Sequence, residues 1–235
     1  MKTLISLASL LLLFFTASSQ YEKIGTMVDP AWVSRVKESG DALSSGDGYL
    51  IKGTIFFHDD MHKGFITLQD GRSAKDVMIR YNLYNHEINY IEDKIEMTLD
   101  ASAPVHEFGY NYTVDDDTKA VLFRAGFPAL GKNNSKTFYQ VIVDKDIALL
   151  KFTSKKILEE RTTLGALQKV IIDTDSWYIY STTDKTIAEI KRNKSSLMEA
   201  LPQYAARINT IVDTKKLRLK SDGDWYVLLS ELSVK

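Results

Sequence analysis

Cysteine is absent from all 235 residues, and the gap excludes several things at once. No disulfide framework can hold the fold, so stability must come from a packed core. No thiol nucleophile is available for catalysis. A bacterial lipoprotein anchor is excluded as well, because its acyl chains are attached at a cysteine. Excess charge of either sign is missing too: 30 basic and 31 acidic residues give a formal net charge of −1. Such a balance supplies no long-range field for nucleic acid. No hydrophobic run long enough to cross a bilayer as a helix follows the first twenty residues. Catalytic signatures are likewise missing, with no G-x-S-x-G elbow, Gly-rich phosphate loop or H-E-x-x-H pattern.

The N-terminus carries the firmest pattern that is present. Lys2 is followed by an apolar stretch from Leu4 to Phe15 and by the small residues Ala17, Ser18 and Ser19. That is the layout of a signal peptide over 1–19, with the mature chain starting near Gln20 or Tyr21. The expected location is therefore periplasmic or extracellular. Roughly 215 residues then remain, enough to bury about 70% of the unfolded surface without covalent staples.

The rest of the chain divides by pattern. Residues 20–48 read as a short helix begun by Asp29-Pro30 and a loop rich in Gly, Ser and Asp. Residues 49–190 change to a period of two. About ten short β-favouring runs are separated by turns such as QDGRSA, VDDDT and PALGKNNSK. Between Asp76 and Leu83, for example, Val77, Ile79, Tyr81 and Leu83 share one face. Connections this short make neighbouring strands antiparallel. The expected fold is mainly β, an antiparallel meander closing into a barrel or packing as a sandwich. Residues 191–235 read as a small helical element against that β domain, with one helix stopped by Pro202 and the last one capped by Asp222.

The piece DVMIRYNLYNHEINYI (76–91), preceded by YLIKGTI and DG, together with KSSLMEALPQYAARI near the end, resembles a group of uncharacterised secreted proteins from Bacteroidetes-type bacteria. The likeness runs over most of 49–232. It implies a β domain with a helical tail and an envelope location, and it implies no reaction.

Candidate binding residues follow from the same alternation. Arg80, Asn82 and Tyr84 fall on one face of a strand, where alternate polar and aromatic side chains form a generic ligand platform. His58, Asp60 and His62 are the only group with metal-capable side chains at close spacing, but no third ligand is assured and a polar hairpin tip is the plainer account. Acidic turns at Asp115-Asp116-Asp117 and at Asp41 with Asp47 lack the calcium-loop pattern. Asn111, Asn133 and Asn193 head N-x-[ST] triplets, which matter only in a source that glycosylates them.

Two functions from different classes fit. The first is a non-enzymatic exported protein with a binding or envelope-structural role, its partner a small ligand, a glycan or an envelope protein, with no cofactor and no nucleic acid. The alternative is an extracellular hydrolase acting on glycan or peptide through a carboxylate-based cleft, since Asp and Glu are plentiful. An outer-membrane barrel fits less well, because the strands are short and lack a regular lipid-facing alternation.

Overall fold

Turn chemistry sets the hairpins of the β region. Between β6 (Val105–Val114) and β7 (Asp117–Arg124), Asp115 and Asp116 hold φ of 50° and 65°. Between β4 (Glu87–Glu92) and β5 (Ile95–Thr98), Asp93 and Lys94 hold 50° and 68°. Positive φ at both central residues is the hairpin geometry whose twist matches that of the flanking strands. The acidic run at 115–117 is thus a tight turn, with backbone conformation as its role.

The structure is a computed structural model that describes residues 50–100, 102–161 and 167–233. The expected helix and loop within 20–48, the signal segment, and Asp41 and Asp47 lie outside the described residues. The remaining strands are β1 (Leu50–Lys52), β2 (His62–Leu68), β3 (Ser73–Asn82), β8 (Tyr139–Val143), β9 (Ile147–Arg161), β10 (Leu167–Ser181) and β11 (Thr186–Ile190). They form one sheet in the order β1-β10-β9-β8-β7-β6-β2-β3-β4-β5, with β11 also paired to β10. Every pairing is antiparallel except that of the three-residue β1 on β10. The expectation of a barrel or sandwich is corrected here. Among the described residues there is a single open sheet, whose strand order ends at β1 and β5 without closing.

That sheet nevertheless rolls up. Four strands separate β3 from β9 in the order, which in a flat sheet would put them roughly 24 Å apart at the usual strand spacing. Yet the Lys155 amide donates to the Leu83 carbonyl at 3.2 Å, and the His86 ring stacks on Phe152 with centroids 4.9 Å apart. The β2–β7 wall gathers its apolar faces into one cluster, among them Ile66, Ile79, Tyr81, Phe108 and Phe123. Ile79, Tyr81 and Leu83 are buried as the alternation demands.

The other half of the sheet carries apolar side chains on both faces where β9 and β10 run beside β8 and β11. Ile147, Leu149 and Ile179 point to one side, Ala148, Leu150 and Tyr178 to the other. The first side is covered by α1 (Lys194–Ala200), α2 (Ala205–Lys215) and α3 (Asp222–Ser233). The helices therefore lie on the face of β8–β11. Asn193 caps α1 by accepting from the Ser196 amide, and Ser221 accepts from the Asp224 amide at the start of α3. Leu197, Ile208, Trp225, Leu228 and Leu229 are fully buried where the helices meet the sheet.

Candidate binding groove

Arg80, Asn82 and Tyr84 do not form a shared platform. Two N–H groups of Arg80 donate to Glu96 on β5, Nε to Oε1 at 2.9 Å and Nη2 to Oε2 at 2.8 Å. Nη1 donates to the Asp59 carbonyl at 2.8 Å, and the guanidinium lies 3.6 Å over the Phe56 ring. Asn89 also donates to Glu96, at 2.6 Å. Asn82 is buried, and its Oδ1 accepts from the amides of Tyr84 and Asn85 to build the turn into β4. Tyr84 alone stays open, with its side chain in solvent.

Arg80 thus ties β3 to β5 across β4. Arg80→Ala is expected to cost about 1–3 kcal/mol, because it leaves a half-buried carboxylate without its charged donor. Urea unfolding measures this directly; an unchanged midpoint would show that the fork contributes nothing.

His58 and His62 do come together, with ring centroids 5.3 Å apart, while Asp60 stays on the exposed side of the turn. Among the described residues no group of three or more His, Asp or Glu side chains converges in a metal-binding arrangement. Of the N-x-[ST] asparagines, Asn111 is exposed on β6 and Asn193 is the α1 cap. Asn133 has a more specific place.

It sits at the end of a tight turn, Leu130 to Asn133, closed by two reciprocal backbone hydrogen bonds of 3.0 Å. Gly131 supplies the positive φ of 61° that this turn needs. The turn leans over the face of β9, β10 and β11 opposite the helices. Asn133 Nδ2 fastens it there by donating to the Tyr139 hydroxyl at 3.0 Å and the Tyr178 hydroxyl at 3.3 Å. Between turn and sheet lies an open groove of about 530 Å³.

Strand register decides what lines it. Phe152 stands opposite Ser176, and Tyr178 stands opposite Glu189. Ser154, Ile187 and, from the turn, Lys132 complete the polar and apolar edges. Phe152 and Tyr178 give an aromatic floor, His86 stacks on the Phe152 ring, and Lys132 and Glu189 are charges of opposite sign on exposed positions. Burial pushes the Tyr178 and Tyr139 phenols above their ordinary value, with the Glu189 carboxylate acting in the same direction. Both therefore stay neutral and able to donate at physiological pH. Burial also lowers the His86 pKa, which favours the neutral imidazole that meets the Tyr81 hydroxyl at 3.2 Å.

Sequence reasoning missed this groove because its residues come from 130–133, 152–154, 176–178 and 187–189. The usable signal was parity, since Tyr178 and Tyr180 alternate with the helix-facing Ile179. Compared with family models, curated proteins and solved structures, the chain matches none. Among the described residues no helix is long and apolar enough to cross a membrane.

Proposed function

We propose that the protein is exported and acts outside the cytoplasm as a binding protein, and that its groove takes a small polar ligand with one flat apolar face, as a saccharide unit has. The observation that carries this reading is the aromatic floor of Phe152 and Tyr178 set among hydroxyl groups and between Lys132 and Glu189. Such sites bind by stacking the apolar face and orienting the polar edge with a few fixed groups. The fastening of the turn by Asn133 supports it further, since a preformed groove loses less conformational entropy on binding.

The rival reading, hydrolysis of glycan or peptide, asks for two converging carboxylates about 5–10 Å apart. Glu189 is the single carboxylate among the described residues that line the groove. Export rests on residues 1–19, and N-terminal sequencing of protein recovered from envelope or medium should begin near Gln20 or Tyr21.

Ligand-observed NMR against a panel of oligosaccharides tests the binding reading. Phe152→Ala and Tyr178→Ala should each weaken a bound saccharide about fivefold, in line with the loss of one aromatic stacking contact of roughly 1 kcal/mol. A ligand whose affinity both variants leave unchanged would move the site elsewhere. Turnover of that ligand would replace binding by hydrolysis as the function.

A further inference from the structure

The turn before β2 brings together two of the four histidines in the chain. Their rings lie 5.3 Å apart between centroids, at 73° to one another. Two tyrosines of β6 wall them in: Tyr110 stacks on His62 at 4.9 Å and 7°, and Tyr112 lies 4.2 Å from His58.

Packing alone leaves two polar atoms unexplained. His58 Nδ1 and the Tyr110 hydroxyl are both buried, and among the described residues neither has a hydrogen-bond partner. One such group is costly, about 1–3 kcal/mol, and two in one cluster call for a shared reason. Asp59 and Asp60 directly follow His58 in the chain, both exposed, and add negative charge that favours a cation.

The spacing fits one ion. With metal–nitrogen bonds of about 2.0–2.1 Å, two imidazoles on a tetrahedral centre have ring centroids roughly 5 Å apart.

We propose that His58 and His62 form a two-imidazole site for a divalent transition-metal ion, Cu²⁺ or Zn²⁺, backed by the Tyr110 ring that stacks on His62. Two protein ligands leave the remaining positions to water, so the ion binds exchangeably. Imidazole nitrogen suits both metals, and Cu²⁺ binds the tighter of the two. This site is independent of the groove reading, since it shares no residue with the groove.

Cu²⁺ titration of the purified protein, followed by electron paramagnetic resonance, tests the proposal. One equivalent should bind with hyperfine structure from two imidazole nitrogens. His58→Gln and His62→Gln should each weaken binding at least tenfold and remove one nitrogen from the spectrum, whereas His106→Gln should leave it unchanged. Zn²⁺ should raise the melting temperature of the original protein and not that of the double variant His58→Gln/His62→Gln. Circular dichroism shows whether the variants fold. If one of them does not, histidine ring NMR of the original protein decides, because Zn²⁺ must then shift His58 and His62 before His86 and His106. A double variant that keeps the same spectrum and affinity, or no binding at micromolar Cu²⁺, would overturn the assignment.

Discussion

Trp225→Ala should be the most destabilising single change in the helical element, at about 3–5 kcal/mol. The indole is fully buried between α3 and the sheet, and its Nε1 donates to the Leu219 carbonyl at 3.1 Å. Truncation opens a large cavity and also orphans a buried carbonyl. The hydrogen bond has a second consequence. Leu219 is buried with a φ of 56°, a conformation that a leucine adopts only when its surroundings hold it there. Without the indole the α2–α3 connection loses that hold, and Leu228 and Leu229 lose part of their seat against Leu149 and Ile179. Urea unfolding monitored by near-ultraviolet circular dichroism gives the measurement. Trp225→Phe keeps most of the volume while losing the N–H, so it should fall well short of the alanine variant. Equal effects of the two would assign the whole loss to the hydrogen bond.

Gly64→Ala should be nearly as damaging, for a different physical reason. A β-carbon on Gly64 would collide with the carbonyl oxygen of Gly109, and would stand 2.9 Å from Tyr110 Cβ and 3.0 Å from Ile79 Cδ1. The oxygen belongs to the backbone of the neighbouring strand, so no side-chain rotation relieves the clash. β2 must move away from β6, and β2 is the strand that joins the two halves of the rolled wall. Overpacking of this kind costs about 1–3 kcal/mol, and a backbone collision falls at the upper end. The same substitution at Gly223, where the nearest atom is Ser221 Oγ at 3.7 Å, should be close to neutral. A lowered urea midpoint for Gly64→Ala and an unmoved one for Gly223→Ala is the expected pair. Equal midpoints would mean that the strands part more easily than the geometry implies.

The candidate sites show where sequence reading reached its limit. Alternation placed Ile79, Tyr81 and Leu83 on the buried face of β3, and they are there. The same rule put Arg80, Asn82 and Tyr84 together, but each answers to a different neighbour. Glu96, sixteen residues on, engages Arg80 by forming a two-pronged ion pair, and the turn into β4 absorbs Asn82. A period of two says which face a side chain takes and nothing about the strand beside it. The proximity of His58 and His62 was readable from their spacing, whereas Tyr110 and Tyr112 arrive through the pairing of β2 with β6.

Longer elements show the same division. The runs at Ile147–Thr153, Leu167–Ile172 and Trp177–Thr182 read as separate short strands because Lys155, Lys156, Glu159 and Glu160 end the first apolar pattern and the polar Asp173, Thr174, Asp175 and Ser176 divide the other two. They are instead one hairpin of two fifteen-residue strands, and Lys155 is paired with Asp173 at 3.2 Å. Polar residues that pair across strands hold a ladder as well as apolar ones do. Local sequence alone determined the β character, the hairpin turns, the inward faces and the presence of the C-terminal helices, because these depend on backbone preference and on neighbours within a few residues. Only the tertiary structure decided that the sheet rolls without closing, that the helices cover one face of its second half, and that the opposite face becomes a groove. Those outcomes depend on pairings between residues tens of positions apart, and such pairings are set by the packing of whole faces.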